Sequence, residues 1–375
     1  MSNPSADGRA TVVVIGGGYG GSGAAKALDE LVDVTLVEPR DAFVHNVAAL
    51  RALVEPEWLA RVFYPYDRLL SNGRVVRDRA VAVEPGRVEL ASGDVLTPDF
   101  VVIATGSTYP YPAKSGTDET SAALHRYRSS HEELAQAGRV LIAGAGPTGL
   151  ELAGEISDRW PEKRITIVEP ERDVLAGPYR QDLRDEVRRQ LGERGVEFIF
   201  GESLVPEPES PPALYGRLAV MTSAGRTIEA DIWFRCHGLT PVSGYLRGEL
   251  ASVRLADGSV EVTPELLVKG QTAVFALGDA SSADLKTAGR AGRQAEVVVA
   301  YIRALVEGGE LRAYEPMPPA IVFPLGPSGG ASELPGQDEI AGGEQTAAIK
   351  GEHMFVDAYR ERFGLTEPAS VSTGS

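Results

Sequence analysis

Cysteine is almost absent from this chain, which has one cysteine, Cys236, among 375 residues. A single cysteine can form neither an internal disulfide nor a Cys-x-x-Cys redox pair, so thiol–disulfide chemistry within the chain is excluded. Cys236 follows the strand-like run Ile232–Arg235, and we interpret it as a small buried residue rather than a reactive thiol.

Positive charge is also scarce, because 37 Lys and Arg face 53 Asp and Glu, for a formal net charge of −16. This charge repels phosphodiester backbones and anionic lipids, and we expect no nucleic-acid partner. No apolar run reaches the roughly 18 residues that would span a bilayer. The leader Met1–Ala10 is polar rather than signal-like, and its Met-Ser start gives no N-myristoylation site. We expect a cytoplasmic protein with at most peripheral membrane contact.

Glycine, in contrast, is abundant, with 42 residues, and it forms two fingerprints of the type G-x-G-x-x-G. The fingerprints are Gly16–Gly21, after the apolar strand Thr11–Ile15, and Gly144–Gly149, after the strand Val140–Ala143. In each, the first glycine permits a tight turn, the second lets a pyrophosphate approach the backbone, and the third lets helix and strand pack closely. A phosphate then lies at a helix N-terminus, where free N–H groups and the dipole favour negative charge. Two dinucleotide sites are therefore predicted.

An acidic residue ends the second strand of each predicted unit, which strengthens both assignments. The strands Val34–Glu38 and Ile165–Glu169 follow the two fingerprint helices. A carboxylate at this point accepts hydrogen bonds from the ribose hydroxyls of an adenosine and repels a 2′-phosphate. At the second site Glu169 predicts NADH over NADPH, and Arg172 is the one nearby residue that would soften this preference.

Three further strands end in glycine turns. Phe100–Ile103 leads into Ala104-Thr105-Gly106, a strand through Cys236 leads into Gly238, and Val274–Leu277 leads into Gly278-Asp279. Asp279, before a predicted helix Thr287–Leu305, is placed to hold a sugar or pyrophosphate group, although Gly278-Asp279 alone also reads as a plain turn.

Alternating strands and helices predict an α/β fold with two Rossmann-like dinucleotide-binding domains and a small C-terminal α+β cap. We expect the first domain to be discontinuous, over residues 1–115 and 237–305, with the second over 116–236 and the cap over 306–375. In the cap, a short helix His353–Phe363 carries Phe355, Tyr359 and Phe363 at a spacing of four. This face packs against the body of the protein or, alternatively, gates a substrate or touches a membrane.

Together with the segment Phe43–Arg51, these motifs resemble the flavoprotein reductases with two dinucleotide domains. Within that superfamily of pyridine nucleotide-disulfide oxidoreductases, the chain is similar to the NADH:quinone oxidoreductases of the ferroptosis-suppressor and apoptosis-inducing-factor type, which lack the redox disulfide. The resemblance covers Val12 to about Leu305. It implies FAD bound non-covalently on the first fingerprint, NADH (with NADPH as the alternative) on the second, and a quinone as electron acceptor.

The resemblance also assigns residues to the two sites, with Arg51 contacting the flavin and His45-Asn46-Val47 approaching its ring system. The FAD-binding candidates are Gly16, Gly17, Gly18, Tyr19, Gly20, Gly21, Glu38, Pro39, Arg40, Asn46, Val47, Arg51, Ala80, Val81, Ala104, Thr105, Gly106, Gly278 and Asp279. The candidates for the second coenzyme are Gly144, Gly146, Pro147, Thr148, Gly149, Glu169 and Gly238. The candidate catalytic residues are Lys286, Glu151 and Lys114, and no metal site is expected. Glu151 would lie near the nicotinamide, and the two lysines either stabilise reduced flavin by charge or are ordinary solvated lysines.

Three functions stay open on the sequence. The first is an FAD-dependent NAD(P)H oxidoreductase that reduces a quinone, working as a monomer or homodimer. The second is a reductase of a small iron–sulfur electron carrier, which the acidic charge of the chain disfavours because such carriers are usually acidic too. The third is a non-catalytic NADH-sensing flavoprotein that forms a stable charge-transfer complex.

Overall fold

The structure is a computed structural model that describes residues 8–365. Most of the leader Met1–Ala10, with its Met-Ser start, and the last residues of the predicted cap lie outside the described residues. No helix between residues 8 and 365 is long and apolar enough to cross a membrane.

The first Rossmann-like domain is built around a five-stranded parallel sheet. Its strands follow one another in the order β18 (Val274–Ala276), β9 (Phe100–Ile103), β1 (Thr11–Ile15), β2 (Asp33–Val37) and β5 (Arg74–Val76). Its central strand β1, Thr11–Ile15, is a run of β-branched residues and is buried over its last four positions. The elements up to the first crossover are β1 Thr11–Ile15, α1 Tyr19–Leu28, β2 Asp33–Val37, β3 Ala42–Val44, α2 Ala49–Val54, β4 Phe63–Pro65, β5 Arg74–Val76, β6 Ala80–Glu84, β7 Arg87–Leu90, β8 Val95–Leu96, β9 Phe100–Ile103 and β10 Ser107–Thr108.

The segment after residue 73 forms two short strands that belong to different sheets. β5 pairs in parallel with β2, whereas β6 begins an antiparallel sheet with β7 and β8. Between them the chain turns at Asp78, whose backbone N–H bonds to the carbonyl of Val76 at 2.9 Å. The Asp78 carboxylate accepts bonds from the N–H groups of Arg79 and Ser92, which fixes the turn.

The second Rossmann-like domain has a four-stranded parallel sheet in the order β13-β12-β11-β16. Its elements are α3 Thr120–Gln136, β11 Arg139–Ala143, α4 Pro147–Arg159, β12 Arg164–Glu169, α5 Gln181–Glu193, β13 Glu197–Phe200, β14 Leu218–Met221, β15 Thr227–Ala230 and β16 Ile232–Arg235. β14 and β15 form an antiparallel hairpin that turns at Ser223-Ala224-Gly225. Helix α3 was missed, since its buried positions Ala123, Tyr127 and Leu134 are sparse in an otherwise polar run.

The chain then returns to the first sheet. β17 pairs with β10, which lies beside the outgoing crossover, and β18 completes the sheet. The returning elements are β17 Thr240–Pro241, α6 Gly248–Ser252, β18 Val274–Ala276, the 3₁₀ turn Gly278–Ala280 and α7 Ala288–Glu307. Helix α7 packs closely on α1, where a Cβ on Gly20 would lie 3.0 Å from the Ala291 carbonyl oxygen. The residue boundaries of the domains stay a prediction.

The C-terminal part packs on the second domain through its first strand. Its elements are β19 Ile321–Leu325, β20 Gly329–Glu333, α8 Gly343–Thr346, the π-helical turn Ala347–Gly351 and α9 Val356–Arg362. A Cβ on Gly154 of α4 would lie 2.7 Å from Leu325 Cα, so only glycine allows β19 this close. Leu325 is fully buried, and burial of such a side chain contributes roughly 1.5–3 kcal/mol.

The last helix begins later than predicted and uses a different set of aromatic residues. Met354 and Phe355 have left-handed backbone with φ of 49° and 59°, so α9 starts at Val356 and Phe355 lies before it, 36% exposed. Tyr359 and Phe363 pack against Phe43 of the first domain, with ring centroids 5.9 and 4.8 Å away. The predicted packing on the body is confirmed for these two residues and is wrong for Phe355.

Candidate active site

The first glycine fingerprint forms the tight turn between β1 and α1. Gly16 has φ +100°, and a Cβ there would lie 2.5 Å from the carbonyl oxygen of Ala104 at the end of β9. A Cβ on Gly21 would collide with the Gly16 carbonyl oxygen. Helix α1 can therefore lie this close to the end of β1 only because residue 21 has no side chain. At Gly18 a Cβ would meet nothing within 4 Å, so open space lies in front of the helix N-terminus. This space can take a phosphate.

The second fingerprint repeats this geometry between β11 and α4. Gly144 has φ +107°, a Cβ on Gly149 would collide with the Gly144 carbonyl oxygen, and Gly146 again faces open space. Behind Gly144 lies Cys236, whose carbonyl oxygen would be 2.8 Å from a Cβ on that glycine. Cys236 is 2% exposed, and burial raises the pKa of its thiol to about 12, which confirms a structural and unreactive cysteine.

Glu38 is held at the first fingerprint by the backbone and by an arginine. Its carboxylate accepts the Gly17 N–H at 2.6 Å and the Arg40 N–H at 3.0 Å. The Arg40 guanidinium adds two bonds at 2.8 and 2.9 Å. Burial alone would raise the pKa of Glu38, but the charge of Arg40 and these hydrogen bonds outweigh it and lower the pKa. Glu38 is therefore a fixed anion beside the open space at Gly18.

Glu169 has the same backbone partners in the second domain and lacks the arginine. It accepts the Ala145 N–H at 2.6 Å and the Glu171 N–H at 3.0 Å. The residue two positions after the acid is thus Glu171 here and Arg40 in the first domain. An acid therefore follows Glu169 at the position where a base follows Glu38.

A cavity of about 600 Å³ runs across the carboxyl ends of the first sheet. This volume falls within the roughly 300–1,000 Å³ that is usual for ligand sites. It is lined by many of the residues predicted to bind FAD, namely Gly16, Gly18, Tyr19, Gly20, Glu38, Pro39, Arg40, Asn46, Ala80, Val81, Ala104, Thr105, Gly106, Gly278 and Asp279. Lys114 and Lys286 line it too. The residues present therefore fit an extended dinucleotide cofactor.

Four of the predicted FAD-binding residues do not line this cavity. Gly17 and Gly21 face inward, where a Cβ on Gly17 would lie 2.5 Å from the Tyr66 hydroxyl. Val47 uses its N–H for a bond to the Tyr19 hydroxyl at 2.9 Å. Arg51 was expected to contact the flavin, and the structure places it elsewhere.

Arg51 lies between the domains in a buried ion pair with Glu155 of α4, and both side chains are at most 3% exposed. The guanidinium donates to Glu155 through Nε and, at 2.9 Å, through Nη2. It stacks over Trp58, 5.2 Å from the ring centroid. Burial raises the pKa of Glu155, with Arg51 opposing and Glu151 adding to the rise. Breaking such a pair by removing one partner costs about 3–5 kcal/mol, so Arg51 is a structural contact between domains.

Lys114 and Asp279 meet inside the cavity through a serine that the sequence analysis missed. Ser107 donates its hydroxyl to the Asp279 carboxylate at 2.6 Å. The Lys114 ammonium donates to the Ser107 carbonyl and, at 2.9 Å, to its hydroxyl, and lies 4.0 Å from Asp279. Burial lowers the pKa of Lys114, while Asp279 counteracts this. Lys286 lies on the same cavity, 3.8 Å from the Asp257 carboxylate and 21% exposed.

Other cavity residues were not identified from the sequence, because no motif marks them. They include Asp78, Arg79, Ser107, Asp118, Val242, Gly244, Tyr245, Arg247 and Thr287. Arg79 pairs with Asp118 at 2.6 Å, and the Tyr245 hydroxyl lies 3.0 Å from that of Thr105.

The second set of predicted residues gathers at the carboxyl ends of β11, β12 and β16. Pro147 and Thr148 open α4 directly after Gly146, and Gly238 follows β16 with φ +95°. Beside Gly238, His237 bonds to Glu207 at 2.9 Å, and Arg235 lies 3.5 Å from the same carboxylate. A dinucleotide bound across the second sheet would meet these residues at the carboxyl ends of its strands.

Glu151 lies on the first half of α4 and binds a lysine from the C-terminal part. Lys350 Nζ contacts the Glu151 carboxylate at 2.8 Å, with the side chains 12% and 17% exposed. Nothing in the sequence around Lys350 marks it, since its partner is 199 positions away. The pair couples the C-terminal part to the helix that opens with the second fingerprint.

His45 links the first fingerprint to the same C-terminal segment. Its Nε2 donates to the Met354 carbonyl at 2.7 Å, so the neutral ring accepts at Nδ1, from the Tyr19 hydroxyl at 3.2 Å. The ring is fully buried, and burial lowers the pKa of His45 to about 4. The Lys350 charge lowers it further. His45 is therefore neutral at physiological pH.

Two dinucleotide sites on paired Rossmann-like domains define a flavin-dependent pyridine-nucleotide oxidoreductase. The family model described as pyridine nucleotide-disulphide oxidoreductase matches residues 10–295, and the chain belongs to this family. It is an FAD-dependent NAD(P)H oxidoreductase. FAD, when bound, supplies the hydride acceptor.

Similar proteins agree over nearly the full chain. The chain is 30% identical to apoptosis-inducing factor homolog B of Dictyostelium discoideum, over 95% of this chain and 97% of the relative. It is 30% identical to ferroptosis suppressor protein 1 of Taeniopygia guttata, over 98% of this chain and 100% of the relative. It is also 30% identical to ferroptosis suppressor protein 1 of Homo sapiens, over 87% of this chain and 88% of the relative. The resemblance seen in the sequence is confirmed.

Solved structures show the same fold at low identity. The sulfide:quinone oxidoreductase of Aquifex aeolicus has a TM-score of 0.75 and 19% identity, over 96% of this chain and 93% of that chain. NDH2 of Plasmodium falciparum in complex with NADH has a TM-score of 0.70 and 13% identity, over 96% and 99%. The predicted α/β fold with two Rossmann-like domains is confirmed.

Proposed function

We propose that this protein takes a hydride from NADH onto FAD and passes the electrons to a quinone. One observation carries the proposal: both fingerprints have a complete dinucleotide geometry, while the single cysteine is buried with its thiol pKa raised to about 12. Because no redox disulfide is available, electrons leave the flavin for an external acceptor. A quinone is the acceptor implied by the resemblance to the ferroptosis-suppressor type.

Each site residue has a proposed task that follows from its contacts. Glu38, fixed by Gly17 and Arg40, accepts from the adenosine ribose of FAD. Asp279, oriented by Ser107, accepts from the hydroxyls of the chain that links the flavin to its phosphates. Lys114, on the same serine, places a positive charge beside the flavin, where it favours the reduced, anionic form.

The coenzyme is NADH in preference to NADPH, as the sequence analysis proposes. The Glu169 carboxylate is held at the end of β12 by the N–H groups of Ala145 and Glu171, and a second acid, Glu171, follows two positions later. A 2′-phosphate would be repelled there, and we expect NADPH to give the lower kcat/KM by at least about tenfold.

The substitution Glu171→Arg tests this preference, because it copies the residue pattern of the first domain. We expect it to raise kcat/KM for NADPH by about tenfold relative to NADH. Glu162→Arg makes the same change of charge at the opposite, amino-terminal edge of the second sheet and is the matched control. An equal effect of both substitutions, or NADPH as the better substrate of the unaltered protein, would refute the assignment.

The acceptor is tested by anaerobic stopped-flow spectroscopy of the yellow protein. Flavin absorbance is followed first with NADH and then with a short-chain ubiquinone or menaquinone analogue. Rapid bleaching and rapid reoxidation would establish quinone reduction. Bleaching to a persistent long-wavelength band, with no response to quinone, would instead support the NADH sensor. Reoxidation by a ferredoxin but not by quinone would support the iron–sulfur reductase.

The remaining expectations about partners stay predictions. The charge of −16 supports the absence of a nucleic-acid partner and of strong adhesion to anionic lipid. We also propose a cytoplasmic location with at most peripheral membrane contact. We propose that the protein is a monomer or a homodimer.

A further inference from the structure

Three separate parts of the chain meet on the guanidinium of Arg51. The residue belongs to α2 of the first domain, and Nη2 contacts both Glu155 of the second domain, at 2.9 Å, and the Gly351 carbonyl of the C-terminal part, at 3.2 Å. Each contact uses a donor of the planar fork, so the three segments are fixed in one geometry.

A second ion pair lies next to the first. It joins the same two segments that Arg51 contacts, helix α4 and the C-terminal part. Glu151 is one helical turn before Glu155, so the two carboxylates lie on one face of α4. Lys350, which binds Glu151 at 2.8 Å, is the residue directly before Gly351. The inner pair, Arg51–Glu155, is at most 3% exposed, whereas the outer pair, Lys350–Glu151, is 12% and 17% exposed.

We propose that Arg51 is a positioning residue, which holds the C-terminal segment through the Gly351 carbonyl so that Lys350 and Glu151 stay at the nicotinamide end of the second fingerprint. A buried ion pair is often replaced by apolar residues without loss of stability. Apolar side chains cannot donate to the Gly351 carbonyl, however, so only the guanidinium ties this carbonyl to Glu155. The inference rests on the proposed function, because its readout is the reduction of flavin by NADH.

The experiment is a double-mutant cycle on the holoprotein. The inner pair is replaced as Arg51→Met with Glu155→Leu, the outer pair is cut by Lys350→Met, and the two changes are then combined. Stopped-flow reduction by NADH gives a limiting rate and an apparent Kd for each protein. We expect the inner-pair variant to lose about tenfold in limiting rate with its Kd within about twofold, since positioning affects the step after binding. In a protein that already carries Lys350→Met, replacing the inner pair should lower the limiting rate by less than about twofold.

A matched control is available in a second buried ion pair that contacts the C-terminal part, Arg290–Asp284. Arg290 pairs with Asp284 at 2.9 Å and donates to the Met317 and Pro318 carbonyls, with no contact to Lys350. Arg290→Met with Asp284→Leu makes the same kind of change. Any rate loss that it causes should multiply with that of Lys350→Met.

The outcomes separate this inference from the proposed function. If NADH fails to bleach the unaltered protein, the proposed function is wrong. If the unaltered protein is reduced but Lys350→Met or the inner-pair variant keeps the full rate, or if their losses multiply, Arg51 does not act through Lys350. Should the inner-pair variant fail to retain flavin, Arg51→Lys is used, which keeps the charge and loses the fork. We expect Arg51→Lys to lower the limiting rate by the same factor as the inner-pair variant. When it is combined with Lys350→Met, we expect no further loss.

Discussion

Acidification should destabilise the protein through His45, and the size of the effect follows from its surroundings. The ring is fully buried, donates to the Met354 carbonyl and accepts from the Tyr19 hydroxyl. A proton on Nδ1 would point at the Tyr19 hydroxyl and place a charge among the rings of Phe43, Tyr64 and Tyr359, and next to Lys350. Burial and the charge of Lys350 disfavour the charged imidazole and outweigh the bond to the Met354 carbonyl, so the pKa of His45 is lowered.

The sign and magnitude follow from linkage. His45 has a pKa of about 4 in the folded protein against 6.5 as its ordinary value. The unfolded chain therefore takes up the proton first, and stability that is present above about pH 6.5 is lost as the pH falls towards 4. Between pH 7 and pH 5 the loss in the free energy of unfolding is about 2 kcal/mol.

Urea unfolding of the holoprotein at the two pH values measures this loss. The control is His45→Gln, which keeps a neutral donor for Met354 and cannot titrate in this range. Carboxylates elsewhere contribute equally to both proteins, so the pH dependence of the variant should be flatter by about 2 kcal/mol. If the two proteins lose the same free energy between pH 7 and pH 5, His45 is not a buried neutral imidazole and the assignment of its hydrogen bonds is wrong.

Three further outcomes are expected. Glu38→Gln removes the charge that Arg40 and the Gly17 N–H bind, and flavin should dissociate about tenfold more readily, as measured by flavin fluorescence during dilution. Tyr359→Ala removes a ring that lies 5.0 Å from that of Tyr19 and should cost about 3 kcal/mol in urea unfolding, whereas Tyr359→Phe should cost less than about 1 kcal/mol. Truncation after Tyr314 exposes core residues of both domains, so both half-reactions should be lost together. A truncated protein with normal reduction by NADH and slow reduction of quinone would instead mark the tail as a gate.

The two fingerprints and the acids after them could be predicted because their geometry is local. A strand, a turn at Gly16 or Gly144 and a helix start are encoded within a few residues, and the acid follows one strand later. The helix α3 could not be read in the same way, because its buried face is defined by contacts with distant residues such as Leu53, whose carbonyl lies 2.9 Å from His131.

The residues that complete the site were missed or misplaced for the same reason. Lys350 and Glu151 are 199 positions apart, and His45 and Met354 are 309 apart, so no sequence spacing brings them together. Arg51 was assigned to the flavin by resemblance, but the flavin cavity does not reach it. Its partner Glu155 comes from another domain, and only the packing of α2 on α4 shows it.

The C-terminal segment is as much a part of the candidate site as the two fingerprints. Between residues 350 and 362 it supplies a cation to Glu151, two carbonyls to Arg51 and His45, and Arg362, which donates to the Tyr19 carbonyl at 2.8 Å. All four contacts lie beyond residue 295, where the match to the family model ends. Both glycine fingerprints lie within the residues that match the family model, and the segment that closes on them follows that range.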